Sequence, residues 1–361
     1  MEASWRTATS SSEAVTSVRG ASRVGGVRIA SVTDSAAMTG RIVVAGATGN
    51  TGQLVAKELL ARGLPVVAMA RSEANRRRLR AMGVESIHGD FDEPLSLASA
   101  LDGAEKAYLV CTPDEHLVRR ESAFVRAAAQ AGVKHVVKCS AYAAGIDAET
   151  MNLRAHGEIE RTLMGSGLGW TIVRPHGFMQ TFTLIGWDLL EKAGVITFPA
   201  GDGAIPLVDV RDVAAVAVLA LTEAGHEGKA YDVTGPEALT FARQAEILGE
   251  VLGRKVTYIA GAPRELELLL SLMGATPTPR EHAIKIAQMI REHRLERVHP
   301  TLEDLGLRPT TFEEFVRDVV AGRTGGGNSF QPPDTLLARV MGTLMPLVFR
   351  ARVRARALLA R

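Results

Sequence analysis

The sequence predicts an α/β protein built on a doubly wound parallel Rossmann sheet, with a smaller C-terminal α/β portion. From Arg41 onward, short runs of β-branched and other apolar residues alternate with stretches of helical periodicity. The runs are almost continuously apolar, which is typical of strands buried on both faces of a parallel sheet. A glycine-rich turn joins the first run to the first helical stretch, as expected at the first crossover of such a sheet.

The strands and helices follow from this alternation. Six strands are predicted in the N-terminal part: Ile42–Ala45, Val66–Ala70, Val84–His88, Ala107–Cys111, His135–Cys139 and Trp170–Val173. Three shorter strands follow among helices near 210–223, 240–252, 263–273 and 279–293: Val195–Phe198, Ala230–Val233 and Val256–Ile259. Two helix starts there have the spacing of capping boxes or near variants: Asp209 with Asp212, and Thr311 with Glu314. We therefore interpret these carboxylates as structural.

The composition limits the function classes. A chain of 361 residues with 46% hydrophobic and 23% charged residues is expected to form one large or two coupled globular domains. Its net charge of +2 gives no support for nucleic-acid binding. Cys111 and Cys139 are too few for a disulfide framework or a zinc site, so we expect no metal and a reducing, cytoplasmic compartment. The chain lacks an apolar run of roughly 18 residues, so no transmembrane segment is predicted.

The glycine-rich turn has the pattern of a phosphate-binding loop. The first predicted strand runs into Gly46-Ala-Thr-Gly49-Asn-Thr-Gly52, and an amphipathic helix follows. Glycines allow a tight turn, close approach of the backbone to a pyrophosphate, and packing of the helix against the strand, while the helix N-terminus attracts the negative charge. The sequence therefore predicts a dinucleotide site that includes Gly46, Thr48, Gly49, Asn50, Thr51 and Gly52.

The end of the second strand indicates which dinucleotide binds. This position normally meets the adenosine ribose, where an acidic residue favours the 2′-hydroxyl and an arginine accommodates a 2′-phosphate. Here it is Arg71, and no carboxylate occurs between Leu64 and Ser72. NADP(H) is therefore predicted to be preferred over NAD(H). Arg76 lies near enough in sequence to reach the same phosphate, although a solvated helix face is the simpler interpretation.

An ordered set of motifs extends between Met38 and about Gly322. Besides the phosphate loop, the set comprises Gly89-Asp90-Phe91-Asp92, Lys138-Cys-Ser140-Ala-Tyr142, His156-Gly-Glu-Ile-Glu160, Thr171-Ile-Val-Arg174-Pro175, Val208-Asp-Val-Arg-Asp-Val-Ala214 and Tyr231-Asp-Val-Thr-Gly-Pro236. In this order, the motifs resemble those of the NmrA-like, atypical short-chain dehydrogenase/reductase family. This family includes NAD(P)H:quinone oxidoreductases, triphenylmethane reductases and NADP-sensing regulators that are not enzymes.

The resemblance implies roles for further residues. It places Asp90 and Phe91 beside the adenine, Thr112 and Pro113 beside the ribose, and Ser140 near the nicotinamide. It also implies that the loop from Pro175 to Phe178 closes over the nicotinamide ring. For Asp90, a turn or helix-capping role ahead of Pro94 is an equal alternative.

The sequence lacks the Tyr-x-x-x-Lys pair with which ordinary members of the superfamily reduce carbonyls, because Ile146 stands four residues after Tyr142. Tyr142 and His156 are the remaining candidate catalytic residues. His156 is four residues before Glu160 on one predicted helix, so the carboxylate is expected to raise its pKa and orient its ring. The alternative is a surface histidine that pairs with Glu160 only to stabilise the helix.

Two functions fit these residues. The first is an NAD(P)H-dependent oxidoreductase that transfers hydride to a small conjugated electron acceptor of the quinone, azo or imine type. Reduction of such an acceptor depends little on a proton-donating side chain. The second is a redox sensor that binds NADP without turnover and signals to a protein partner. The missing tyrosine–lysine pair is compatible with both.

Composition also divides the chain into segments. Residues 1–37 have no periodicity, which predicts disorder or an over-extended reading frame whose true start is Met38. The Rossmann domain is assigned to 38–195 and a smaller substrate-side portion to 196–322. A Gly/Pro-rich linker (323–334) then leads to a basic amphipathic tail (335–361). We expect the tail to dock on its own domain or on a second subunit of a homodimer, or to contact anionic lipid or a protein partner.

Overall fold

The computed structural model describes residues 40–181, 190, 193–272 and 274–322, and a short ladder near the N-terminus. In this ladder, β1 (Arg23–Val24) pairs antiparallel with β2 (Val27–Arg28), within a unit that comprises residues 1–34. The rest of the predicted N-terminal segment, the linker and the basic tail lie outside the described residues. Within the described residues, no helix is both long and apolar enough to cross a membrane.

A seven-stranded sheet forms the centre of the second unit. Its strands are β3 (Arg41–Val44), β4 (Val66–Ala70), β5 (Glu85–His88), β6 (Ala104–Leu109), β7 (His135–Cys139), β8 (Gly169–Pro175) and β11 (Lys229–Val233). They lie in the order β11-β8-β7-β6-β3-β4-β5, and all neighbouring pairs are parallel. The predicted Rossmann sheet is confirmed, and its strand order reverses between β3 and β6.

Helices connect these strands and cover the sheet. They are α1 (Asn50–Ala61), α2 (Glu73–Ala81), α3 (Pro94–Leu101), α4 (Leu117–Gln130), α5 (Met151–Met164) and α6 (Val210–Thr222). The side chains of α3, α4 and α5 share one apolar cluster with the sheet, in which Leu97, Phe124 and Leu163 are fully buried. Helix α1, by contrast, packs against α6.

The smaller portion contains two additional two-stranded sheets. In one, β9 (Val195–Phe198) pairs parallel with β13 (Thr257–Ala260), and in the other, β10 (Ala204–Ile205) pairs antiparallel with β12 (Leu239–Thr240). Its helices are α7 (Phe241–Leu252), α8 (Pro263–Leu272), α9 (Pro277–Arg291), α10 (Thr301–Asp304) and α11 (Phe312–Val320). A second apolar cluster, which includes Met179, Phe241 and Phe315, forms the core of this portion.

One strand lies elsewhere than the sequence predicted. The run Ala230–Val233 was assigned to the smaller portion, but β11 pairs with β8 and forms the edge of the central sheet. An edge strand is covered on fewer sides than an inner one, and Lys229 and Ala230 are exposed accordingly. The apolar continuity that identified the inner strands is therefore weak in β11.

The predicted helix caps are confirmed in part. Thr311 and Glu314 form a reciprocal capping box at the start of α11. Asp209 caps α6, where its carboxylate accepts the N–H of Arg211 at 2.8 Å. Asp212, however, does not complete a second box, because its two oxygens accept the N–H and the hydroxyl of Thr310 at 2.8 and 2.9 Å.

Candidate functional site

The phosphate loop between β3 and α1 is shaped by three glycines with different requirements. Gly46 has φ +67°, and a Cβ there would lie 2.4 Å from the carbonyl oxygen of Val110. A Cβ on Gly52 would lie 2.3 Å from the carbonyl oxygen of Gly46, so helix α1 could not approach the strand. At Gly49 a Cβ would meet only that same oxygen, at 3.3 Å. The fold therefore requires Gly46 and Gly52, whereas a Cβ at Gly49 would make one tight contact with the backbone.

The start of α1 suits an anion. Gly49 precedes the first turn without a capping side chain, and the turn contains no acidic residue, so no side chain of the turn itself neutralises the positive end of the helix dipole. Gly46, Thr48, Gly49 and Asn50 are all partly exposed. Thr51 differs from them, because it is buried and its hydroxyl accepts a hydrogen bond from the Tyr108 hydroxyl at 2.9 Å. The Thr51 side chain therefore anchors α1 to the sheet.

Arg71 extends into solvent at the end of β4, where 73% of its side chain is exposed. No carboxylate is close to Arg71 in the sequence of this strand, but one is close to it in the structure. Asp90 follows the neighbouring strand β5, and its Oδ2 lies 3.9 Å from Arg71 Nε. Arg76, the other candidate for the same phosphate, is instead paired with Glu73 at 2.5 Å.

Asp90 has the turn role that its alternative interpretation predicted, because its Oδ1 accepts the N–H of Asp92 at 3.0 Å. Phe91 packs against Phe124 of α4, with the ring centroids 5.8 Å apart. Thr112 and Pro113 are exposed in the segment after β6. These residues therefore line the same edge of the sheet as Arg71.

A fully buried ion pair lies beneath the segment after β6. Lys138 Nζ of β7 is 2.5 Å from Glu121 Oε2 of α4, and neither side chain is exposed. The other oxygen of Glu121 accepts the N–H of Cys111 at 2.9 Å, which fastens the chain just before Thr112. Lys138 Nζ also lies 3.0 Å from the carbonyl oxygen of Cys139 and 3.3 Å from His156 Nδ1. An ammonium group only donates, so His156 Nδ1 is an acceptor and the ring proton lies on Nε2.

The environment of His156 contradicts both sequence interpretations. His156 is buried, so it is not a surface histidine. It does not pair with Glu160, whose oxygens instead accept the Ser140 hydroxyl at 2.5 Å and the Arg174 guanidinium at 2.5 and 3.0 Å. Burial, Lys138 and His282 hold the pKa of His156 well below its ordinary value. The expectation of a raised pKa was therefore wrong, because the ring is buried and Glu160 pairs with Arg174 instead.

Ser140 and Pro175 hold the segment after β7 against the end of β8. The Ser140 N–H donates to the carbonyl oxygen of Val173 at 2.7 Å, and the Tyr142 N–H donates to that of Pro175 at 2.9 Å. Phe178, at the end of the loop predicted to close over the nicotinamide ring, forms a parallel bridge with Val208. Tyr142 is thereby placed at the carboxyl edge of the sheet.

Two histidines surround the Tyr142 ring. His176 stacks on it with centroids 4.7 Å apart, and His299 meets its edge with its Nε2 3.4 Å from the Tyr142 hydroxyl. Partial burial raises the pKa of Tyr142, Asp232 raises it further, and Arg297 opposes both effects. His176 lies within the predicted loop from Pro175 to Phe178, but its contact with Tyr142 was not predicted. His299 was not identified from the sequence, since it is 157 residues away from Tyr142. Lys138 could have been recognised from the sequence, because it is a charged residue within an otherwise apolar strand.

These groups share one edge of the sheet. The phosphate loop, Arg71, Thr112 and Tyr142 all follow the carboxyl ends of their strands, on both sides of the reversal between β3 and β6. Ligands of open α/β sheets bind in the crevice outside the carboxyl ends at this reversal. The edge can therefore hold an extended ligand with its anionic centre at α1.

The comparisons with known proteins show the family of this chain. The sequence model of the NmrA-like family matches residues 38–316. The chain belongs to the NmrA-like family. The NAD(P)H azoreductase of Xenophilus azovorans is 36% identical over 279 residues, which are 76% of this chain and 96% of the relative.

Two further proteins are similar. Quinone oxidoreductase 2 of Escherichia coli is 33% identical over 224 residues, 60% of this chain and 76% of the relative. The crystal structure of the Citrobacter sp. triphenylmethane reductase complexed with NADP(H) has a TM-score of 0.69 and 28% identity. It covers 77% of this chain and 99% of that one. The family resemblance inferred from the sequence motifs is confirmed.

Proposed function

We propose that this protein is an NAD(P)H-dependent oxidoreductase that transfers hydride to a small conjugated acceptor of the quinone, azo or imine type. The observation that carries this proposal is the glycine-rich loop at the carboxyl end of β3, which leads into a first turn of α1 that contains no acidic residue. A pyrophosphate fits such a cradle. The names of the relatives support the same chemistry, since they are an azoreductase, a quinone oxidoreductase and a triphenylmethane reductase.

The residues at the adenosine end favour NADP(H) over NAD(H) in this proposal. The Arg71 guanidinium is exposed and available to pair with a 2′-phosphate. Asp90 lies 3.9 Å from it, so this carboxylate orients the guanidinium and reduces the net positive charge that the phosphate meets. We therefore expect a moderate preference, with Asp90 and Phe91 beside the adenine and Thr112 and Pro113 beside the ribose.

At the other end, Ser140, Tyr142 and Pro175 would border a bound nicotinamide ring, which would supply the hydride. Tyr142 is the proposed proton donor, because it follows β7 at the carboxyl edge of the sheet and is only partly buried. His156 is too buried to contact an acceptor, and its Nδ1 lies 3.3 Å from Lys138 Nζ. We therefore assign His156 a positioning role behind β7. A delocalised acceptor lowers the demand on the acid, since charge spreads over its π system.

We also propose that the reaction takes place in the reducing cytoplasm, with the acceptor as a diffusible small molecule. Cys111 and Cys139 are unpaired, and burial raises the pKa of the Cys111 thiol to about 12, so it is not a reactive thiolate. The expected homodimer and the contacts of the basic tail depend on residues beyond 322, outside the described ranges.

A turnover panel tests the proposed function. Purified protein is mixed with NADPH and a series of quinones, azo dyes, triphenylmethane dyes and simple carbonyls, and loss of NADPH absorbance is followed. We expect oxidation of NADPH with at least one conjugated acceptor and little with simple ketones. Tight dinucleotide binding without turnover of any acceptor would instead support the redox sensor, and absence of binding would refute both functions.

A further inference from the structure

Tyr142 lacks the lysine that commonly assists such a tyrosine, and the structure offers a different neighbour. The nearest lysine in sequence, Lys138, is fully buried and paired with Glu121. The group that does reach the Tyr142 hydroxyl is His299, whose Nε2 lies 3.4 Å away. His299 comes from the segment between α9 and α10, in the smaller portion of the protein.

The position of His299 is fixed by backbone hydrogen bonds to the end of β11. Its N–H donates to the Thr234 hydroxyl at 3.0 Å, and that hydroxyl lies 3.3 Å from its carbonyl oxygen. Two residues later, the Thr301 hydroxyl donates to the carbonyl oxygen of Asp232 at 2.6 Å. The segment is therefore attached to the same sheet edge that holds Tyr142, which limits the freedom of the imidazole.

The other groups around Tyr142 are less suited to assist it. His176 is buried, its Nδ1 accepts the N–H of Gly177 at 2.8 Å, and burial lowers its pKa to about 4. It is therefore neutral at pH 7 and acts as a stacking surface. Asp232 raises the pKa of Tyr142, and Arg297 opposes it only at a distance as a charge.

We infer that His299 is the positioning residue for proton delivery by Tyr142, in place of the missing lysine. This inference rests on the proposed function. When the Tyr142 O–H bond breaks, its proton passes to an oxygen or nitrogen of the acceptor, which gains its electron pair with the hydride. The resulting phenolate accepts a hydrogen bond from the His299 imidazole, and a proton returns to Tyr142 through His299 from water. The acceptor is thereby reduced by two electrons, and both side chains return to their starting state.

The protein contains a matched control for this pair. At the opposite end of the sheet, His226 Nδ1 lies 2.8 Å from the Tyr231 hydroxyl, with the rings in edge contact. His226 precedes β11, so it lies at the amino edge, away from the phosphate loop. A histidine that only stabilises its tyrosine is thus available in the same molecule, and His226→Gln is expected to leave turnover unchanged.

The first test follows phenol ionisation in the full-length protein without dinucleotide. The chain has four tyrosines, so the difference between wild type and Tyr142→Phe isolates the Tyr142 phenolate absorbance during a pH titration. His299→Phe removes the N–H that stabilises the phenolate, and we expect the Tyr142 midpoint to rise by about one pH unit. His299→Gln keeps an N–H donor and is expected to give a smaller rise. An unchanged midpoint in His299→Phe would overturn the inference.

The second test uses an acceptor that the turnover panel identifies. His299→Phe is expected to lower kcat about tenfold without changing the NADPH Kd, and His299→Gln to recover part of the loss. Equal rates in the two variants would contradict the positioning role. If no acceptor turns over, the proposed function fails, yet the phenol titration still decides whether His299 controls Tyr142.

Discussion

The phosphate loop and the polar cluster behind β7 are held together in opposite ways. In the loop, the Gly49 N–H donates to the carbonyl oxygen of Gly46, and Gly52 packs closely on that same oxygen. In the cluster, Lys138 reaches Glu121 across 17 residues and Ser140 reaches Glu160 across 20. The loop therefore depends on local backbone geometry, whereas the cluster depends on charges that are paired only after the sheet and helices have packed.

The largest expected effect is on the buried ion pair. Lys138→Met leaves the Glu121 carboxylate buried without its partner, and we expect a loss of about 3–5 kcal/mol in the free energy of unfolding. Urea denaturation measures this value. Adding Glu121→Gln should recover part of it, because a neutral amide oxygen can still accept the Cys111 N–H. If Lys138→Met alone has nearly wild-type stability, the buried ion pair contributes no more to the free energy of unfolding than a surface ion pair does.

The next prediction compares two glycines of the loop. Gly49→Val is expected to fold but to lose about a hundredfold in dinucleotide affinity, because its Cβ would meet one protein atom at 3.3 Å, while the branched side chain would block the approach of a pyrophosphate to the backbone. Gly52→Val is the matched variant, and its Cβ would collide with the Gly46 carbonyl, so it should lose stability as well. Circular dichroism, thermal unfolding and nicotinamide fluorescence separate the two. Retained binding in well-folded Gly49→Val would remove the loop assignment.

This contrast also explains what the sequence could predict. Val66–Ala70, His135–Cys139 and Val195–Phe198 were predicted with their exact bounds, and the capping box of Thr311 was recognised, since each depends on local pattern. The Tyr142–His299 contact was not predictable, because two distant segments are brought together by the sheet edge. The environment of His156 was misjudged for a related reason. Spacing on one helix suggested Glu160 as its partner, but Arg174 on the neighbouring strand occupies that carboxylate.

The pH dependence of stability tests whether Asp212 is a buried group or a local helix cap. Its carboxylate was interpreted as a local cap, but it contacts Thr310, and burial raises its pKa from 3.8 to about 7. Because the folded-state pKa is raised, the folded protein holds the proton more tightly than the unfolded chain. The stability linked to this proton is present below pH 4 and is lost as the pH rises to about 7.

We therefore expect wild type to lose about 2 kcal/mol more stability between pH 5 and pH 8 than Asp212→Asn, which cannot titrate. Urea denaturation at the two pH values checks this difference. The contributions of other groups cancel in the comparison, so parallel pH dependences would mean that Asp212 is as solvated as an ordinary cap.

The smallest expected effect concerns the preference for NADPH over NADH, which we attribute to Arg71 at the end of β4. Arg71→Gln removes the guanidinium that is proposed to pair with a 2′-phosphate, and we expect about a tenfold weaker NADPH affinity with little change for NADH. The effect is limited because Arg71 is largely exposed and already near Asp90. Arg76→Gln is the matched control, since Arg76 is paired with Glu73 and should not alter the preference. Fluorescence titration with both dinucleotides gives the ratio of Kd values.

Arg71→Glu should invert the preference, because it adds a second carboxylate beside Asp90, where a ribose hydroxyl can still donate but a phosphate is repelled. If both Arg71 variants keep the wild-type ratio, the selection of the dinucleotide does not depend on the end of β4, and the local rule that predicted it does not apply to this chain.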